Sequence, residues 1–332
     1  MGDVGIMGLR PPRSDWNYTK ELARLADELG YSCITMGESW AEDAFTSLAQ
    51  LGAVTSSIRI GTSIVPIYAR TPSNLAMTAL NMDVMTEGRF FLGLGASGKL
   101  VIEDFHGEEF RKPLTRMREY ISILRKAMRG ERLDHDGEFF QTQRFRVRFK
   151  PYRNDLPIYI ASLSPPSLLL TGELADGWLP IFLAPKRMGP SLSAIREGAE
   201  SAGRSLDDVA ISPQVSVYVT DDVPEARDRE RPHIAFYIGG MGVFYHQYMH
   251  RIGFGEESDM IREAYLSHDR DRAASLVTDE MVDEMTIIGD PDQCREQMGT
   301  YFQAGVDEIR LVLNEPDKES YVATMKALAP NA

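Results

Sequence analysis

The chain has 332 residues, 43 % of them hydrophobic and 26 % charged, a balance that belongs to a globular protein able to bury a large core. Its formal charge of −13 creates a field that repels phosphate backbones and anionic lipid, so neither nucleic acid nor a membrane surface is an expected partner. The only cysteines, Cys33 and Cys294, support neither a disulfide framework nor a metal-ligand spacing, which makes a reducing cytoplasm the expected compartment. Met1-Gly2-Asp3-Val4-Gly5 lacks the basic and apolar regions of a signal peptide, and no apolar run approaches the ~20 residues of a membrane span.

In chain order, Val4 to Gly8 reads as a short buried strand followed by the loop Arg10-Pro11-Pro12-Arg13. Leu22, Leu25, Ala26 and Leu29 mark one face of a helix that Gly30 stops. Ser32 to Met36 is the second strand, with the polar turn Gly37-Glu38-Ser39-Trp40 at its end and a helix from about Asp43 to Thr55 beyond it. The stretch from Arg59 to Pro72 begins as a third strand and ends in a loop that two prolines keep out of a helix. Leu75 to Met85 is helical, and Arg89 to Gly95 is the fourth strand.

The strand–loop–helix unit recurs about every thirty residues over this half, and short apolar strands alternating with amphipathic helices imply a parallel sheet. The second half keeps the order at wider spacing. A helix from about Leu114 to Met128 precedes a polar insertion near 130–155, then come strands at Leu156 to Ala161, Gly177 to Pro180 and Val209 to Val219. After an irregular region at 231–277, where Gly239-Gly240-Met241-Gly242 suggests a helical insertion with a glycine turn, a helix from Pro291 to Ala304 leads to a last strand, Glu308 to Leu313. Eight strands of this kind predict an α/β fold, a (β/α)8 TIM barrel with insertions, in one domain spanning 1–332.

Several motifs carry chemistry. Gly93-Leu94-Gly95-Ala96-Ser97-Gly98 matches the dinucleotide fingerprint G-x-G-x-x-G, yet no helix opens at its glycines and Glu119, at the distance of the expected acidic residue, lies inside a helical pattern. It reads instead as a strand-end loop whose bare backbone lets a flat ligand approach. Glu38 ends the second strand, on the rim where barrels place catalytic groups; it could bond a ring carbonyl, handle a proton, or simply cap the following helix. Ser162-Leu163-Ser164-Pro165-Pro166-Ser167 joins the fifth strand to a helix whose N-terminus suits an anion. His246 and His250 have i, i+4 spacing but lack the glutamate of H-E-x-x-H, and read as histidines on a surface helix, with no metal expected; no G-x-S-x-G elbow exists.

At these residues the chain resembles the luciferase-like monooxygenase superfamily, TIM barrels that bind FMN or a deazaflavin. Gly61 to Pro66 resembles that group's third strand, Gly88 to Gly95 its fourth, and Ala175-Asp176-Gly177-Trp178 a segment after its phosphate loop. Gly95-Ala96-Ser97-Gly98, Phe105-His106-Gly107, Lys112-Pro113-Leu114 and Gly239 to Gly242 are similar to the coenzyme F420-dependent branch that includes the methylenetetrahydromethanopterin reductases. The resemblance implies a cofactor ring against Glu38, Ser63, Ile64, Pro66, Gly95, Ala96, Ser97 and Gly98, with its phosphate at Ser162, Leu163, Ser164, Pro165 and Pro166. It also implies a non-prolyl cis peptide between Ser63 and Ile64, and a homodimer.

The expected function is therefore hydride transfer between coenzyme F420 and a small organic substrate, with Glu38 orienting the ring or assisting a proton. An FMN-dependent monooxygenase using reduced flavin and O2 is the alternative, and a non-catalytic flavin-binding protein a third reading. Arg10, Arg13, Lys99, Lys186 and Arg187 are candidates to hold an anionic coenzyme tail. Two departures from the branch stand out. Ser39 occupies the position of a histidine proposed as base in its sugar-phosphate dehydrogenases, and Pro165-Pro166 replaces Gly-Pro in the phosphate loop, removing an N–H donor.

Overall fold

The computed structural model describes residues 2–9 and 15–330. Eight parallel staves are built from β1 (Asp3–Met7), β2 (Cys33–Met36), β3 (Arg59–Thr62) with its short continuation β4 (Val65–Pro66), β5 (Phe90–Gly95), β8 (Ile158–Ile160), β9 (Gly177–Trp178), the broken pair β10 (Ala210–Ile211) and β11 (Gln214–Val219), and β13 (Glu308–Leu313). Between β5 and β8 lies a small antiparallel hairpin, β6 (His135–Asp136) with β7 (Gln141–Thr142), inside the polar insertion.

Ring closure depends on the stave that contains Pro213. Its first half pairs with β9, its second half with β13, and β13 pairs with β1. Pro213 donates nothing, yet its carbonyl accepts from the Arg310 amide at 2.9 Å, while Ser212 and Gln214 donate backward to Trp178 at 2.9 Å and Pro180 at 2.8 Å. Each half thus serves a different neighbour and no edge is left open at that point, which is what the predicted barrel requires.

Helices α1 (Trp16–Glu28), α2 (Ala44–Gly52), α3 (Pro72–Met85), α4 (Pro113–Met128), α5 (Pro165–Leu174) and α6 (Gly189–Ser201) follow the first six staves. Their starts follow sequence chemistry: Asp15, Asp43 and Thr71 accept from backbone amides of the first turn, and prolines occupy the first turn of α3, α4 and α5. The main core lies between helices and sheet, with Ile6, Ile34, Ile60, Phe90, Leu92 and Ile158 completely or almost completely buried there.

The barrel interior is filled differently. In β13, Ile309, Leu311 and Leu313 join the helix-side core, which by strand alternation turns Glu308 and Arg310 inward. Cys33, Phe91, Tyr159 and Leu179 form an inner cluster beside this charge pair. Gly61 makes room for it, since a Cβ there would sit 2.2 Å from the Phe91 ring.

The irregular region is helical, and it begins earlier than the sequence indicates: α7 (Val223–Gly240), α8 (Val243–Arg251), α9 (Gly255–Leu266), α10 (Arg270–Ser275) and α11 (Asp279–Met285) pack around their own apolar core, with Ile234, Ile238, Met249 and Ile261 at its centre. Gly239 and Gly240 belong to the last turn of α7, and only Gly242, with φ +89, is a turn glycine. A strand that sequence periodicity misses, β12 (Thr286–Gly289), pairs outside the ring with β11 before α12 (Pro291–Gln303), and α13 (Lys318–Ala327) ends the fold. Among the described residues no helix is long and apolar enough to cross a membrane.

Candidate active site

Because the staves are parallel, their C-terminal ends share one rim. That rim surrounds a cavity of about 980 Å³. Glu38, Ser63, Ile64, Gly95, Ala96, Ser97, Gly98, Ser162, Leu163 and Ser164 all line it, so four separate sequence segments meet there. Three expected residues do not. Pro66 is buried in β4 opposite Gly95, behind the wall, and Pro165 and Pro166 form the exposed first turn of α5 and face away from the cavity.

The peptide between Ser63 and Ile64 is cis. Its surroundings define the floor: the Ser63 amide donates to Met36 O at 2.7 Å, the Ile64 carbonyl accepts from the Glu38 amide at 2.9 Å, and the Ser63 hydroxyl is held by Arg310. Arg310 is 1 % exposed, and it also donates from Nη2 to Ser212 O at 2.7 Å and from Nε to Ser212 Oγ at 3.0 Å. Burial pulls its guanidinium below the usual arginine range. Sequence reading passed over Arg310 because it sits in an otherwise apolar strand; an arginine at an inward register position was the available signal.

Gly95 fits tightly on Ile64, where a Cβ would come within 2.7 Å of Cδ1. Ser97, with φ +63, turns the next loop, and among the described residues the amides of Ala96, Ser97 and Gly98 have no protein acceptor. The rim thus presents unpaired N–H groups beside the apolar surfaces of Met7, Met36, Ile64 and Leu179. Such a donor set fits a flat heterocycle that carries ring carbonyls.

Glu38 is not a free carboxylate. Arg70 grips both its oxygens, at 2.5 and 3.0 Å, and Oε2 also accepts from the Ala44 amide at 3.2 Å, the first residue of α2. The same guanidinium reaches Asp43 at 2.6 Å. The lining position and the helix-capping alternative are therefore both realised, and proton transfer by Glu38 is disfavoured because both its oxygens already accept charge-assisted bonds from Arg70.

At the α5 end, Pro165 and Pro166 have no N–H, and the Leu168 amide bonds Ser164 O at 2.9 Å, which among the described residues leaves Ser167 N as the free donor of the first turn. The serines bond locally: Ser162 Oγ lies 2.8 Å from Thr171 Oγ1, and Ser164 Oγ lies 2.9 Å from Ser167 Oγ. A cation missed by sequence reading stands beside this loop, Arg251 of α8, whose Nη2 donates to Leu163 O at 2.9 Å. Of the tail candidates named from sequence, Arg187 is committed to Glu280, Glu284 and Ile252 O, Lys99 lies 3.6 Å from Glu103, and Lys186 is exposed; Arg10 and Arg13 lie outside the described residues.

The remaining wall comes from the helical insertion, whose place the sequence did not disclose. His233, Phe236, Tyr237 and Met241 of α7 and its end, with Phe244 and Tyr245 of α8, line the cavity. His246 and His250 lie outside it, their Nε2 atoms 2.7 and 2.8 Å from one oxygen of Asp259 on α9.

Known proteins agree with this architecture. A protein of Mycobacterium tuberculosis, provisionally named a coenzyme F420-dependent oxidoreductase, is 35 % identical over 91 % of both chains. The 5,10-methylenetetrahydromethanopterin reductase of Archaeoglobus fulgidus is 30 % identical over 86 % of both. The solved coenzyme F420-dependent tetrahydromethanopterin reductase of Methanopyrus kandleri superposes with a TM-score of 0.83 over 99 % of this chain and 97 % of its own, at 24 % identity. The luciferase-like monooxygenase family profile covers residues 3–308, and the chain belongs to that family.

Proposed function

We propose that the protein is a coenzyme F420-dependent oxidoreductase that moves a hydride between the deazaflavin and a small organic substrate. The observation that carries this reading is the rim itself, where the unpaired amides of Ala96 to Gly98 and the floor at Ser63–Ile64 meet in one cavity of about 980 Å³. The relatives' names point the same way. When bound, the deazaflavin supplies a carbon centre that gives or accepts a hydride.

In this reading the chain's own residues bind and orient. The amides of Ala96, Ser97 and Gly98 hold ring carbonyls, Ile64 supports one ring face, and Arg310 fixes Ser63 beneath it. Glu38, locked by Arg70, gives a fixed negative end to the rim and does not relay protons. Ser164, Ser167 N and Arg251 receive the anionic tail, where Arg251 offsets the overall negative field. The chain acts as one barrel domain with its two insertions, in the cytoplasm, where the buried Cys33 and Cys294 stay as free thiols, and as a homodimer.

The test is a calorimetric titration of the apoprotein with oxidised coenzyme F420 and, separately, with FMN. Tighter binding of the deazaflavin is expected. Tighter binding of FMN, coupled to oxygen uptake on reduction, would replace this reading with the monooxygenase.

A further inference from the structure

Hydride transfer to a neutral acceptor needs a proton carrier, and neither residue at the end of β2 supplies one. Both oxygens of Glu38 are bound, and the Ser39 hydroxyl does not ionise near neutral pH. The α7 wall carries an imidazole instead. His233 Nδ1 lies 2.8 Å from Oε1 of Glu230, one turn earlier on the same helix. The Glu230 carboxylate is 1 % exposed, and its other oxygen accepts from the Tyr218 hydroxyl of β11 at 2.8 Å.

A carboxylate at that depth persists because donors hold it. Its acceptor oxygen requires hydrogen on Nδ1, so the neutral ring keeps Nε2 as its basic atom. Among the described residues Nε2 has no protein partner. Phe182 and Tyr237 pack on the ring, with centroids 5.4 and 5.1 Å away, and fix its plane. The side chain is 35 % exposed, and it lines the same cavity as Ser63 and Gly95 to Gly98. A carboxylate that sets a tautomer, a free second nitrogen and an opening onto the cavity together make an acid–base group.

We propose that His233, set in its Nδ1–H tautomer by Glu230, is the proton donor and acceptor of the reaction, and that its substrate is a neutral carbonyl compound, or the matching alcohol, with an apolar body. The inference rests on the deazaflavin reading. In reduction, the C–H bond of the reduced deazaflavin's donor carbon would break and its hydrogen, with the electron pair, form a C–H bond at the carbonyl carbon; the ring would be oxidised by two electrons and lose its ring N–H proton to solvent. The C=O π pair moves to oxygen, and the proton on Nε2 of the imidazolium completes the hydroxyl. His233 then regains a proton from solvent, and oxidation of the alcohol runs the same steps backward. A cationic acceptor such as an iminium ends neutral after taking a hydride and needs no such acid, so a built acid selects for a neutral acceptor. Phe236, Tyr237, Phe244 and Tyr245 supply apolar walls for the substrate body.

Two measurements test it together. Nitrogen-15 NMR of the apoprotein, with the His233 signal assigned by its loss in His233→Gln, reads the tautomer without cofactor or substrate. Wild type is expected to hold Nδ1–H, and Glu230→Gln to lose that preference. In the second, acetophenone is reduced by the F420-loaded enzyme. His233→Gln is expected to lower kcat by about 10²–10⁴-fold with KM little changed, Glu230→Gln to lower it less, and both to keep their affinity for coenzyme F420, which shows that they fold. An Nε2–H tautomer in wild type, unchanged kcat in His233→Gln, or a wild type that binds coenzyme F420 but leaves acetophenone untouched overturns the proposal while the cofactor reading stands. Absence of coenzyme F420 binding in the titration removes both.

Discussion

Glu38 sits where a barrel enzyme places chemistry, yet its neighbours make it a strut between β2, α2 and the loop after β4. Removing its charge breaks two charge-assisted bonds to Arg70 and weakens the cap on Ala44, while Asp43 keeps Arg70 from being stranded. Glu38→Gln is expected to cost about 1.5–3 kcal/mol, read as a lower urea midpoint with an unchanged m-value. Its rim position was legible from strand order alone. Its partner was not, because Arg70 lies in a loop whose path depends on the bend after Ser63. Arg251 was hidden for a related reason: helix α8 gives no sign in sequence that it returns to the loop before α5. If Arg251 holds the coenzyme's anionic tail, Arg251→Gln should weaken coenzyme F420 about 10–100-fold, the value of one charge-assisted contact. The same substitution should leave affinity for the phosphate-free deazaflavin nucleoside unchanged, and an equal loss for both would deny it that role.

At the scale of elements, period and punctuation located all eight staves and most of the helices between them, since burial on both faces gives short apolar runs and caps mark helix starts; α6, which starts at Gly189-Pro190, was not among them. What escaped was non-local. The strand β12 spans four residues directly after α11, so its period cannot be separated from the helix before it, and its pairing with β11 is set only in the folded chain. The clamp that aims the third stave is another such feature. Asp27, at the end of α1, accepts from Ser56 N at 2.6 Å, Ile58 N at 2.7 Å and the Ser57 hydroxyl at 2.6 Å, fixing the loop into β3. Burial alone would raise its pKa, but these bonds outweigh it and hold the carboxyl at about 2, below its ordinary 3.8. A depressed carboxyl contributes stability fully above its unfolded pKa and loses it as pH falls through the folded one. Asp27→Ala should therefore destabilise the protein by about 1.5–3 kcal/mol near neutrality, and the gap to wild type should close between about pH 4 and pH 2. Chemical denaturation across that range measures it, and a gap that stays constant would show that the carboxylate's charge is not what holds the loop.

For the whole molecule, the remaining question is what covers its apolar exterior. Met77, Val84 and Met85 lie on one face of α3 and are 50 %, 38 % and 52 % exposed. The arm after the small hairpin lies against the end of that helix, because Arg153 pairs with Asp83 at 2.9 Å and the Tyr152 ring packs on Gly88. It adds Tyr152, 57 % exposed, to the same end of the molecule. A chain with formal charge −13 stays apart from its copies unless apolar contact outweighs repulsion, and a clustered surface of large side chains offers that contact. The homodimer expected from the family resemblance should therefore form through α3 and this arm. Sedimentation at physiological salt should give twice the 37.2 kDa chain mass, and Met77→Glu with Met85→Glu should return single chains that keep their affinity for coenzyme F420. Because the Debye length grows from about 8 Å at 0.15 M to about 30 Å at 0.01 M salt, the wild-type dimer should also loosen at low ionic strength. A wild type that sediments as single chains at micromolar concentration would refute the assembly, and a double variant that remains dimeric would move the interface to another face.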